Sequence, residues 1–289
     1  MITRLDHIVI AVRDLDEAMR RFQALGFAVS PGGRHTGRGT HNAIIRFGLE
    51  YLELLSIYDE AEIGARGLNG ESLSEFLKQH ESGLIGYALA TDDIAQDAER
   101  FEQTGLDAEG PFAMQRLRPD GRQLSWRLLV PGGTSWRRPW PFLIHWDTPD
   151  AERLSWEQPG IHLNGANGVA SLGLTVRDLE QGITLYQHQL GVDLAEQRDE
   201  PHLKARRASF RLGAFSIHLF APSGTGPVQQ ALDSVGDGPF ELALTSHDLQ
   251  QTQAFFAQAG IQLEPAQASA DALALPAQQA LGARLLFRE

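Results

Sequence analysis

The sequence predicts an α+β fold assembled from four βαβββ modules. Two observations carry that expectation. The stretch Leu5 to Phe27, LDHIVIAVRDLDEAMRRFQALGF, reads as strand, cap, helix and glycine stop, and it recurs three times. Further strand-like sequence follows the copies.

In the first copy, His7 to Val12 (HIVIAV) is rich in β-branched residues and has few polar breaks, which suits a strand covered on both faces. Asp14 sits where a helix N-cap belongs, with Glu17 three residues on. Leu15, Ala18, Phe22 and Leu25 recur at helical spacing, and Gly26 supplies the stop. Gly86 to Leu106 repeats the pattern with Asp93, Ile94, Phe101 and Gly105. Ser171 to Val192 repeats it with Asp178, Leu179, Tyr186 and Gly191, but needs one extra residue before its glycine. Glu241 to Ile261 repeats it with Asp248, Leu249, Phe256 and Gly260. Four matches on this many features mark an internal repeat.

The strands that complete module one are NAIIRFG (Asn42 to Gly48) and EYLELLSI (Glu50 to Ile57); in module three they are RASFRLG (Arg207 to Gly213) and AFSIHLFA (Ala214 to Ala221). Aligning Gly48 with Gly213 sets Glu53 opposite His218. One module cannot bury both faces of its sheet, so modules must pair. Ser30 to His41 is a glycine-rich loop, either a plain hairpin connection or an arch presenting Arg34 and His35 to a cleft. It does not lead from a strand into a helix, so it is no phosphate loop. Tyr58 to Ser82 is a connection with a short helix through Leu73, Phe76 and Leu77, capped by Ser72 or Glu71. Module two runs from Gly83 to about Asp147, with a hairpin turn at Arg118-Pro119-Asp120-Gly121 and a last strand PFLIHW (Pro141 to Trp146). Thr148 to Asn167 is expected to be a linker. Module three follows, Pro222 to Gly238 joins it to module four, and ARLLFRE closes the chain, with 262–282 too weakly patterned to place. The expected domains are residues 1–150 and 168–289.

With 289 residues the chain has room for two domains. There is no cysteine, which excludes disulfides, thiolate metal sites and cysteine nucleophiles. A formal net charge of −12 argues against nucleic-acid partners. No apolar run is long enough to span a membrane, and MITRLDH enters the first strand at once. A cytoplasmic protein without a signal peptide, monomer or homodimer, is expected. Arginines crowd the first half, from Arg34 and Arg38 to Arg116, Arg118, Arg122, Arg127, Arg137 and Arg138. They are either solvated surface or the lining of a cleft for an anionic small molecule.

Strand parity singles out two polar residues. His7 lies on the face opposite Ile8, Ile10 and Val12, and Glu53 on the face opposite Leu52 and Leu54. Both therefore turn away from the helices. A carboxylate flanked by leucines needs a partner, which is a metal, an arginine or a hydrogen-bonded histidine.

Four βαβββ modules, with LDHIVIAV, GGRHTGRGTHNAIIRFG, YLELLSI, GYALATDD and PFLIHW in the first half, resemble the vicinal oxygen chelate superfamily of glyoxalases, bleomycin-resistance proteins and dioxygenases. The first 150 residues or so resemble more narrowly its glyoxalase-like domain family; beyond Gly168 the module pattern alone carries the likeness. The resemblance implies that paired modules curl into half-open, barrel-like mixed sheets with helices outside. It also implies metal ligands on the first and last strands of each module. Those slots hold His7, Gly86, Ser171 and Glu241, then Glu53, His145, His218 and a position near Phe287.

His7, Glu53 and His145 would thus make a set of two histidines and a carboxylate for Fe, Mn, Zn or Ni, with Glu53 also moving a proton. Gly86 leaves the fourth slot empty, unlike glyoxalase I. Arg34, His35 and Tyr51 would bind substrate, and His218 with Glu241 would be a vestigial second site. The activity implied is lyase, isomerase or dioxygenase chemistry on a small, anionic or neutral, vicinal-oxygen substrate. The competing expectation is a metal-free protein of the bleomycin-resistance type that sequesters a small molecule between Tyr51, Trp126, Trp136, Trp140 and Trp146. In a third, the second half is a scaffold for the first, which is compatible with either.

Overall fold

A computed structural model of the chain describes residues 1–63, 70–133, 135–266 and 271–289, with the side chains of 70 and 71 outside that description. The expected cap at Glu71 therefore lies outside the described residues. The chain forms two compact units. The first is Met1–Trp136 with Pro141–Ile161, and the second is Arg137–Trp140 with His162–Glu289.

In the first unit the strands are β1 (Ile2–Val12), β2 (Ser30–His35), β3 (Thr40–Arg46), β4 (Tyr51–Ile57), β5 (Ser82–Thr91), β6 (Ala108–Leu117), β7 (Gln123–Pro131) and β8 (Phe142–Trp146). They pair in the order β1-β4-β3-β2-β6-β7-β8-β5 and close into a barrel. Two register pairs, Arg34 with Leu117 and His35 with Arg116, make the closing seam between the modules. Gly33 makes that seam possible. Its φ is +137°, and a Cβ there would stand 2.1 Å from the Leu117 carbonyl oxygen.

The helices of this unit are α1 (Leu15–Ala24), α2 (Gly70–Gln79), α3 (Ile94–Thr104) and α4 (Asp150–Trp156). Helix α4 corrects the linker expected over Thr148 to Asn167. Its Arg153 and the following Glu157 are buried charges that tie the segment to the barrel, so it packs as part of the first unit. Ser72 is inside α2, not at its cap; its Oγ accepts a hydrogen bond from the Trp136 backbone N–H.

Among its described residues the second unit forms an eight-stranded open sheet. Its strands are β9 (Ala166–Thr175), β10 (Leu194–Glu200), β11 (Ala205–Leu212), β12 (Phe215–Pro222), β13 (Gly238–Ser246), β14 (Glu264–Pro265), β15 (Ala272–Leu275) and β16 (Leu285–Arg288). The order is β10-β11-β12-β9-β13-β16-β15-β14. Among the described residues the edge strand β14 pairs with β15 alone, so no seam like that of β2 and β6 joins it to β10. The helices are α5 (Leu179–Ile183), α6 (Pro227–Val235) and α7 (Leu249–Gln258). Among the described residues, no helix is long and apolar enough to cross a membrane.

All four expected caps form. Asp14, Asp93, Asp178 and Asp248 each accept backbone N–H bonds from the first turn of α1, α3, α5 and α7. The stops Gly26, Gly105, Gly191 and Gly260 all have positive φ, from 70° to 84°. The extra residue of the third copy is absorbed by a π-helical turn, Thr184–Gln189, at the end of α5. The apolar faces Leu15–Ala18–Phe22 and Ile94–Phe101 are buried against the barrel.

Candidate functional site

Inside the barrel of the first unit lies a cavity of about 110 Å³. The parallel pairing of β1 with β4 builds one wall, setting His7 beside Tyr51 and Val9 beside Glu53. His7, Tyr51 and Glu53 all line the cavity, as their strand parity requires. His35 reaches the same place from β2.

The two histidines converge on Glu53. His7 Nε2 is 3.5 Å from Glu53 Oε2, and His35 Nε2 is 3.7 Å from Oε1. Asn42 Nδ2 donates to Oε1 at 2.5 Å. Each imidazole is also held from behind. His7 Nδ1 bonds the Asp6 carboxylate at 2.8 Å, and His35 Nδ1 meets Thr40 Oγ1 at 2.9 Å.

Asp6 sets the His7 tautomer. Burial pushes its carboxyl up, but the His7 hydrogen bond and the charges of His7, Arg153 and Arg4 outweigh burial and hold it far below the usual carboxylate range. An ionised carboxylate only accepts, so His7 Nδ1 carries the proton and Nε2 faces the cavity. Trp146 Nε1 donates to the other Asp6 oxygen at 2.9 Å. Burial lowers His35 to about 4, with Glu53 opposing and Arg116, His7 and Arg38 reinforcing. His35 is therefore neutral near neutral pH. Burial, then Asp6 and Glu53, raise the Tyr51 hydroxyl well above its ordinary value. Its ring stacks on His7 at 4.9 Å.

The opposite wall is aromatic. Trp126 and Trp146 pack at 5.0 Å between ring centroids, and Trp136 meets Phe142 at the same distance. Arg38 and Arg116 add cations to the lining. Arg116 is buried and bonds Glu157 at 2.8 Å.

Two expected site residues are not brought to this cavity. His145 points out of the barrel; its Nδ1 meets the Thr91 carbonyl at 3.0 Å, while its neighbours Ile144 and Trp146 face inward. Strand register explains the error. Val9 pairs Glu53 in module one, and its repeat equivalent Ala88 pairs Phe142 in module two. The last-strand slot of module two therefore holds Phe142, three residues before His145. The first-strand slot, Gly86, has the Trp136 ring 3.2 Å from where its Cβ would be, so both module-two slots are apolar. Arg34 is exposed and stacks its guanidinium on Tyr58 at 4.7 Å, with Arg38 taking the inward position. Of the tryptophans expected along the cleft, Trp140 belongs to the second unit.

Residue patterns alone miss Asp6, Asn42 and Phe142. Asp6 precedes His7 and would alternate to the far face. A β-bulge between Leu5 and His7 makes it the extra residue and frees it to reach the imidazole. A lone asparagine in the apolar strand NAIIRFG was the signal available for Asn42.

Two imidazole nitrogens and a carboxylate are a donor set that suits Fe, Mn, Zn or Ni. Holding Nδ1 from behind is how ligating histidines are oriented. The chemistry of His7, His35 and Glu53 thus fits a divalent ion, although among the described residues no group of three or more His, Cys, Asp or Glu stands at ligating spacing.

In the second unit the corresponding slots are Ser171, His218 and Glu241, with Leu286 completing the set through the pairing of Ala243 with Leu286. All four line one cavity. Burial first, then Arg207, Arg288 and Arg198, lower His218 to about 3. Glu241 has Arg284 at 3.6 Å. One histidine, one serine, one leucine and a glutamate among arginines do not fit a metal ion.

Comparison with known proteins agrees with the module pattern. The glyoxalase-like domain family matches residues 5–190. The glyoxalase/bleomycin resistance protein/dioxygenase superfamily matches residues 168–268. No curated protein matches the chain. A hypothetical protein from Staphylococcus aureus has a similar fold, with a TM-score of 0.71 at 17% identity over 100% of this chain and 99% of that one. A mutant of 4-hydroxymandelate synthase from Streptomyces coelicolor superposes with a TM-score of 0.69 at 11% identity, over 99% and 92% of the two chains. At these identities the likeness is one of fold. With the family matching well over half of its length, the chain belongs to the glyoxalase-like domain family of the glyoxalase/bleomycin resistance/dioxygenase superfamily.

Proposed function

We propose that the first unit is the active site of a divalent-metal-dependent enzyme acting on a small vicinal-oxygen substrate. The observation that carries this reading is the convergence of His7 Nε2 and His35 Nε2 on the Glu53 carboxylate inside one cavity. His7, His35 and Glu53 would hold the metal, with His35 replacing His145. A bound ion would polarise the two substrate oxygens and stabilise the negative charge that develops on them.

The chain's own residues do the rest. Asp6 and Thr40 keep the imidazoles aimed at the cavity, and Asn42 steadies one oxygen of Glu53. Glu53 Oε2 remains the group best placed to take or return a proton at the substrate. The aromatic wall of Trp126, Trp136, Phe142 and Trp146 favours a planar or apolar body, and Arg38 with Arg116 favours an acidic group at its edge. The cavity volume restricts the substrate to a small one.

Elemental analysis of the full chain purified without chelators tests this, beside Glu53→Gln, His35→Ala and His145→Ala. Near-stoichiometric metal is expected in the wild type and in His145→Ala, with a loss of about tenfold or more in the other two. Absence of metal after loading with Fe(II), Mn(II), Ni(II) and Zn(II) would overturn the reading. The second reading is a metal-free binding protein, favoured by the packed Trp126–Trp146 wall. Under it, quenching of tryptophan fluorescence by aromatic acids would survive Glu53→Gln.

A further inference from the structure

The cavity of the second unit has a chemistry of its own. It is about 520 Å³, far larger than the cavity of the first unit, and its wall is mainly polar. Arg198, Arg207, Arg211 and Arg288 line it. Two of them are compensated. Arg207 reaches Glu196 at 2.8 Å and Glu200 at 3.1 Å, and Arg198 reaches Glu200 at 2.8 Å. The other two, Arg211 and Arg288, have no ion-pair partner among the described residues. The remaining acid, Glu241, is pushed up by burial and sits beside Arg284.

Other groups in the wall are hydrogen-bond donors. Arg207 Nε is buried without an acceptor. Ser171, Ser209 and Ser216 bring hydroxyls to the cavity, and Ser209 Oγ lies 3.0 Å from His218 Nδ1. The histidine stays neutral among these cations and so adds no repulsion for a metal to overcome, but the arginines do. An arginine fork matches the paired oxygens of carboxylate and phosphate. Two uncompensated arginines and a buried donor lining one cavity call for a ligand with two negative charges.

We infer that the second unit's cavity binds a small oxyanion of two negative charges, a dicarboxylate or a phosphate, in the place where the superfamily's strand slots would otherwise converge. The cavity is the size of a small-molecule site, not of a metal-ion site. This site is independent of the reading given to the first unit.

Calorimetric titration of the full chain at low ionic strength, with inorganic phosphate in one arm and succinate in the other, tests the inference. Saturable binding of at least one of them is expected, and the tighter arm identifies the headgroup. Binding should weaken at least about tenfold in the double variant Arg211→Gln/Arg288→Gln, whose side chains are exposed and unpaired enough for the fold to persist. It should be unchanged in Arg177→Gln, an exposed arginine of the same unit that pairs with Asp237 outside the cavity. No saturable binding in either arm, wild-type binding in the double variant, or equal weakening by Arg177→Gln would each overturn the site. So would a tight Zn(II) or Mn(II) site in Glu53→Gln that disappears with His218→Gln.

Discussion

Glu53 lies between two imidazoles that are each held from behind, and Asp6 is the more consequential of the two supports. Its carboxylate receives His7, Trp146 and Arg4 at once, in a wholly buried position. Asp6→Asn keeps the shape but can present an N–H to His7 Nδ1, turning the proton toward Nε2. Metal affinity, or turnover of a vicinal-oxygen substrate, is expected to fall about 10–100-fold, as when an orienting partner of a ligating histidine is lost. Trp146→Phe removes one donor to Asp6 and leaves the His7 contact, so its effect should be smaller. Metal titration of both variants measures the difference. Parity along β1 and β4 made His7 and Glu53 legible in the sequence. Asp6 was not legible, because a bulge suspends the alternation on which parity rests.

At the scale of elements, the C-terminal end of helix α4 is fastened by one carboxylate. Glu157 bonds Arg46 at 2.9 Å, Arg116 at 2.8 Å and Arg118 at 3.1 Å, with Arg153 at 3.5 Å. Arg46, Arg116 and Arg153 are buried, so the acid that balances them cannot be removed cheaply. Glu157→Gln is expected to destabilise the first unit by about 3–5 kcal/mol, because it strands buried cations. Chemical denaturation read through tryptophan fluorescence measures it. Arg116 also lines the cavity, so the same variant should disturb the aromatic wall. In sequence this segment showed prolines and glycines at its edges and read as a linker. Its helix is short and capped by no side chain, and long-range ion pairs hold it in place. The one-residue excess of the third repeat, by contrast, was countable in the sequence; the π-turn is where it went.

At the scale of the whole molecule, each unit holds a histidine neutral by desolvation, His35 in the first and His218 in the second. Their folded values, about 4 and about 3, lie below the ordinary value of 6.5, so the unfolded chain binds more protons between those limits. The stability they contribute is complete above pH 6.5 and is lost as pH falls toward about 4 for His35 and about 3 for His218. The loss is about 1.4 kcal/mol per pH unit for each histidine. Glu241 runs the other way: its raised carboxyl favours the folded state in acid, and that contribution fades as pH rises through its folded value. Glu241 therefore partly offsets the His218 loss where the two overlap, and below about pH 4 the His218 loss continues after that of His35 is complete. Denaturation over this interval should be flattened by His35→Gln for the first unit and by His218→Gln for the second.

The repeat, the helix caps, the glycine stops and the inward residues of β1 and β4 were determined by the sequence alone. They depend on chemistry within a few residues: a cap bonds its own first turn, and alternation assigns a face. What only the tertiary structure decided was which strands meet and in what register. The pairing of Ala88 with Phe142, and not a position near His145, emptied the module-two slots. The seam of β2 on β6 brought His35 to Glu53. The sheet of the second unit gathered arginines from β10, β11 and β16 around His218. Register between strands far apart in the chain is set by closure, bulges and packing, and a single shift of pairing exchanges one side chain for another at the site.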